Sequence, residues 1–173
     1  MKNKTLWIAE TAVMIALLVA LQWATKPLGQ FVTGSCVNLV LGVSTLVGGA
    51  WCGAVVAIAS PFCAFLVGVG PAKLVIVPFI AVGNLVLVVL LHLLAGRRPL
   101  SIRSYLAVAA AAVCKFLALF LLVTKVAIPS LALPEAAAAT MSASFSWPQL
   151  ITAAIGGVIA VSIAPVIRKA LKR

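Results

Sequence analysis

Apolar residues along this chain fall into six runs, separated by short polar or glycine–proline breaks. A helix needs about 20 mostly apolar residues to cross a bilayer. The first run covers residues 6–24, with Trp7 and Trp23 near its ends, and tryptophan favours the two membrane interfaces. Lys26-Pro27-Leu28-Gly29-Gln30 breaks it. A second run, 35–47, is short for a span, and Gly48-Gly49 allows a tight turn after it. The third run, 50–67, ends before Gly68, Gly70 and Pro71. The fourth, 72–95, contains Pro78, which deprives the Leu74 carbonyl of its helical partner and predicts a kink. The basic loop Gly96-Arg97-Arg98-Pro99 leads to the fifth run, 104–126. A longer connection, 129–146, holds a stretch suited to a short surface helix, Pro134 to Ala139. The sixth run, 147–167, has Ser146 as N-cap and Pro148 in its first turn. The pattern predicts an all-α polytopic membrane protein: one domain, 1–173, folded as a compact bundle of six transmembrane helices. Segment two is the soft point, because it is short enough to stop partway.

Composition agrees with lipid as the solvent. Hydrophobic residues make up 65% of the 173 positions and charged residues 9%, against about 25% charged in a soluble domain. The net charge is +11, with Glu10 and Glu135 as the two acids. The basic residues sit mostly at the ends of apolar runs, which reads as a topology signal and anionic-lipid contact, not a nucleic-acid groove. With both ends in the cytoplasm, the inner side holds Lys2, Lys4, Arg97, Arg98, Arg103, Arg168, Lys169, Lys172 and Arg173. The outer side holds Lys26, Lys73 and Lys125. Nine against three sets the direction, with Lys115 inside segment five. The first run lacks a clear small-residue cleavage site and is read as a retained span.

Catalytic chemistry is sparse. There is no GxxxxGK[ST] phosphate loop and no HExxH, and His92 has no cysteine or carboxylate nearby in sequence. Cys36, Cys52, Cys63 and Cys114 form no CxxC pair and read as small buried hydrophobes. Glu10 and Glu135 are predicted on opposite faces, which leaves no carboxylate pair. Neither an enzyme, a metal site nor a cofactor is expected.

Polar groups within the spans carry more information. Lys115 lies about halfway along segment five, where an ammonium costs about 2.5–3.5 kcal/mol on insertion scales. Backbone carbonyls, water, loss of the proton or an anionic ligand must stabilise it. Asn84 is about halfway along segment four and falls at a similar depth. Lys73, 11 residues earlier, returns to nearly the same helix face about 16 Å further out. These residues read either as a polar track or as a snorkelling lysine and an interhelical asparagine. Gln30, Thr33 and Asn38 in the first outer loop and second span, with Trp147 and Gln149 at the start of segment six, are candidates for a pocket mouth. Ala12, Ala16, Ala20 and Ala24 form a strip of small residues that suits close helix approach, within the chain or to a partner.

The Ala12-Ala16-Ala20 repeat and the stretch Lys26-Pro-Leu-Gly-Gln-Phe-Val-Thr-Gly-Ser-Cys-Val-Asn38 resemble the substrate-binding S component of an energy-coupling factor (ECF) transporter. The resemblance extends over nearly the whole chain in length, span count and orientation. It implies a subunit of the prokaryotic cytoplasmic membrane that binds a vitamin or similar micronutrient from outside. It implies docking through Ala12, Ala16 and Ala20 onto a transmembrane coupling subunit, driven by two cytoplasmic ATPases, with the binding subunit toppling in the bilayer. It further implies a pocket built from the outer halves of spans four to six and the outer loops. Carried onto this chain, that points to Gln30, Asn38, Lys73, Asn84, Lys115, Trp147 and Gln149.

Lys73, Lys115 and Lys125 on or inside such a cavity, opposed only by Glu135, favour a carboxylate-bearing substrate. Biotin, pantothenate, nicotinate and lipoate have that group; thiamine, a cation, does not. The competing readings are a six-span scaffold without a small ligand and a small intramembrane enzyme. A bound small molecule favours the transporter subunit, a pocket filled by side chains the scaffold, and an acid–base pair beside a cavity the enzyme.

Overall fold

The structure, a computed structural model, describes residues 4–71, 73–95 and 100–171. Every regular element among them is helical: α1 (Lys4–Thr25), α2 (Gln30–Val43), α3 (Ala50–Leu66), α4 (Val77–Leu94), α5 (Ile102–Leu119), the single turn α6 (Ile128–Ser130), α7 (Glu135–Ser144) and α8 (Trp147–Ala170). α2 runs on through π-helical Ser44–Gly48, and α5 through π-helical Phe120–Ala127. Five stretches are long and apolar enough to cross a membrane: Lys4–Leu28, Gln30–Gly48, Leu74–Leu94, Ile102–Ser130 and Glu135–Ala170. α3, with 17 residues, falls short of that length. Lys2, Arg97, Arg98, Lys172 and Arg173 from the charge count lie outside the described residues, as does Ala72 at the predicted start of segment four.

Four expectations need correction. The second run is not short, because Gly29 (φ 83°) turns the chain within one residue and Gln30 already begins α2. A left-handed φ of this kind is the conformation glycine adopts without steric cost. Gly49 (φ 95°) makes the corresponding turn into α3. Pro78 does not kink a span, because α4 starts at Val77 and the proline falls in its first turn, where no partner N–H is required. The prolines inside helices are Pro61 in α3 and Pro165 in α8. Ser146 does not cap α8 through its side chain; its hydroxyl donates to the Ser142 carbonyl at 2.6 Å. Cys114 is exposed, and of the four cysteines only Cys52 is buried.

The helices alternate in direction between two ends. At one end Glu10 lies near Gly48, and Arg168 donates from Nε to the Leu46 carbonyl at 2.9 Å and from Nη2 to the same oxygen. Arg103 donates to the Leu94 carbonyl there too, at 2.9 Å. At the other end Lys26 Nζ donates to the Gly68 carbonyl at 3.0 Å, so α1 and α3 finish side by side. α3 therefore runs the length of the bundle despite its 17 residues, which rise about 26 Å.

α2 packs most extensively on α8, α4 lies between α3 and α5, and α1 sits against α2 and α3. The main core joins Leu18, Leu41, Cys52, Val56, Val88 and Ala111 from five helices. Close approach at the α2–α8 contact depends on Gly156. A Cβ there would lie 2.5 Å from the Ser35 carbonyl oxygen and 2.7 Å from Asn38 Cβ. Large apolar side chains such as Leu6, Val13, Trp51, Ile102 and Leu106 face outward, as lipid-facing side chains do.

Candidate functional site

The floor of the site is built around Lys115. This side chain is 2% exposed and donates to Asn38 Oδ1 at 2.5 Å and to Asn84 Oδ1 at 2.8 Å. An ammonium only donates, so both amides must turn their oxygens toward it. Asn38 Nδ2 then donates to the Gly34 carbonyl at 2.9 Å and Thr152 Oγ1 at 3.3 Å. α2, α4, α5 and α8 are thereby joined through one buried polar network. Two amide dipoles solvate the charge without cancelling it. An ammonium has three N–H groups, and here two are used.

Above this floor lies a partly open cavity of about 760 Å³, within the usual range for small-ligand sites. Its walls include Leu18 of α1, Val37 of α2, Pro61 of α3 and Ile80 of α4. α7 covers it with Ala136, Ala137, Thr140, Met141 and Ser144, one face of a helix at three- and four-residue spacing. Two glutamines hold the end of that cover. Gln30 Nε2 donates to the Ser144 carbonyl at 2.5 Å, and Gln149 Nε2 to the same oxygen at 3.1 Å. A last-turn carbonyl has no intrahelical donor, so the clasp satisfies a group the helix leaves open. Met141 and Phe145 also pack on the cluster of Ile76, Leu119, Val123 and Ile128.

Five of the seven candidate pocket residues line this cavity: Gln30, Asn38, Asn84, Lys115 and Gln149. Lys73 and Trp147 are not among its lining residues. Lys73 is exposed just before the short 3₁₀ turn that leads into α4. Trp147 is 68% exposed and stacks on Phe116, with ring centroids 5.8 Å apart. Lys125 is exposed too, with its ammonium 5.4 Å from the Phe120 ring centroid. The cavity draws heavily on α1, α2 and α3, and α8 contributes Gln149. The expected weighting toward the last three spans is therefore redistributed.

Sequence reasoning missed Gln22, Lys26 and Ser60 as lining residues. Gln22 and Ser60 had the same signal as Asn84, a polar side chain within an apolar run. Lys26 was counted only as a topology charge. Among the described residues no carboxylate lines the cavity, whereas Lys26 and Lys115 both do. Ala12, Ala16 and Ala20 lie on the exposed side of α1.

The fold and site define an α-helical bundle, with five apolar helices long enough for the bilayer among the described residues, and so a multi-pass membrane protein. No family model, curated protein or solved structure matches the chain.

Proposed function

We propose that this chain is the substrate-binding subunit of an ECF-type transporter, taking a carboxylate-bearing micronutrient from outside a prokaryotic cell. The observation that carries the reading is the covered cavity of about 760 Å³ with the Lys115 amino group in its floor and no acid among its described lining residues. A carboxylate bound there completes the hydrogen bonding of Lys115 and compensates its charge.

In this reading the chain crosses the membrane six times. α3 counts as a span because it runs from one end of the bundle to the other, near the lower limit of about 17 residues. The basic residues favour cytoplasmic termini, which puts the cavity on the outer side. Energy comes from two cytoplasmic ATPases through a transmembrane coupling subunit. The exposed face of α1, with Ala12, Ala16 and Ala20, is the docking surface for that subunit.

The test is purification of the tagged chain from its own cells without added ligand. Mass spectrometry of released small molecules and of co-purifying proteins then gives the answer. The expected result is one small organic acid together with ATPase and coupling subunits. A chain that carries no small molecule and brings down no ATPase overturns the reading.

A further inference from the structure

The cavity wall contains a hydroxyl that the network leaves unused. Ser60 lines the cavity from α3, is 1% exposed, and its Oγ has no hydrogen-bond partner. Among the described residues Thr124 Oγ1 shares this state, but Thr124 does not line the cavity. Ser35, Ser44, Thr45, Ser130 and Ser162 all fold back onto the carbonyl four residues earlier. A buried hydroxyl without a partner is costly, and such groups are rare in folded proteins. Asn84 offers a second unused group. Its oxygen is taken by Lys115, and its Nδ2 has no partner among the described residues. The third N–H of Lys115 is the remaining donor.

We propose that Ser60 is a specificity-determining residue, forming with Asn84 Nδ2 and the free Lys115 N–H a donor set that receives one carboxylate, head first, at the bottom of the cavity. This rests on the binding-subunit reading above and narrows it to a substrate class. A carboxylate has about four acceptor sites and matches a floor made of donors. Helical rise puts Asn38 about 12 Å below Gln30 at the rim, and Ser60 about 9 Å below the end of α3 at Leu66. Between rim and floor the walls are mostly apolar, with Leu18, Val37, Pro61 and Ile80 beside the polar Gln22 and Thr33. The ligand is therefore a monocarboxylic acid with an apolar stem, and its polar tail lies under the Gln30–Gln149 clasp. A one-step rotation about χ1 is enough to turn the Ser60 hydroxyl between staggered positions.

The test uses the full chain in lipid nanodiscs and calorimetric titration with paired probes: biotin and biotinamide, lipoate and lipoamide, nicotinate and nicotinamide, pantothenate and panthenol. The expected result is that an acid binds and its uncharged partner binds at least ~100-fold more weakly. Ser60→Ala weakens that acid by ~10-fold, and Ser60→Thr, which keeps the hydroxyl, restores most of the loss. Thermal stability of ligand-free Ser60→Ala stays equal or rises, because an unpartnered buried hydroxyl is removed; a merely structural serine gives the opposite. Equal binding of acid and uncharged partner, or unchanged affinity in Ser60→Ala, overturns the inference. Native mass spectrometry separates the two levels. A neutral or cationic molecule carried by the protein sinks the donor-set proposal and the carboxylate assignment, and leaves the binding-subunit reading standing. No carried molecule and no binding by any probe removes both.

Discussion

The two ends of the bundle use the same helices for opposite purposes. At the end where α1 begins and α8 finishes, small residues let helices touch: a Cβ on Gly42 would meet Ala160 Cβ at 2.5 Å, and one on Gly53 would meet Val88 Cγ1 at 2.9 Å. At the cavity end α2 and α8 stay in contact through Gly156, while the helices around them open on about 760 Å³ of space with polar groups facing inward. Dense packing is what makes the open end affordable. It fixes α2, α4, α5 and α8 well enough for Asn38, Asn84 and Lys115 to meet within hydrogen-bond distance. The contrast teaches that stability and recognition are spatially divided here, so mutations at the two ends should fail in different ways.

The largest effect is expected at the packed end. Gly53→Leu forces a side chain against Val88 and the Thr45 backbone and should cost about 3 kcal/mol. It should appear as a large drop in thermal midpoint in detergent, and an unchanged midpoint would dissolve the proposed division. Next comes Lys115→Ala at the cavity end. Ligand affinity should fall by at least ~100-fold, about 2.7 kcal/mol. The thermal midpoint of the ligand-free protein should move little, because the variant also removes a buried charge. Titration beside a melting curve checks both halves of that statement. A smaller change is expected for Gln30→Ala, which leaves Gln149 as the remaining clasp on Ser144. Loss of one hydrogen bond of about 1 kcal/mol should speed ligand release roughly fivefold, measurable by stopped-flow displacement. Ala16→Trp should have the least effect on either end, since Ala16 is exposed on α1. Binding and melting should match the parent protein while uptake in cells is lost. Retained uptake would end the assignment of that face to the coupling subunit.

The sequence pattern located the apolar helices because burial in lipid requires long uninterrupted runs. It also brought Asn84 and Lys115 to one depth, since α4 and α5 are sequence neighbours running in opposite directions. It did not pair Asn38 with Lys115. That contact joins positions 77 residues apart, and depth alone does not say which helices are adjacent. Pro78 defeats the pattern because the apolar run reaches back to residue 72, whereas a short 3₁₀ turn precedes α4 and leaves the proline in its first turn. Ser60 shows in the sequence only as a polar residue within an apolar run; a serine in a span usually donates to its own helix, and only coordinates reveal that this one does not.

The position of the buried lysine also bears on how the protein is made. Chains emerge N-terminus first, and Asn38 and Asn84 both precede Lys115. When α5 leaves the ribosome with its lysine, the segments carrying both acceptors have already been synthesised. The insertion penalty of about 2.5–3.5 kcal/mol for a central lysine then falls on a helix whose partners are waiting in the bilayer. Reversing that order, with the lysine-bearing helix moved ahead of α2 and α4 by circular permutation, would leave the charge unescorted during biogenesis.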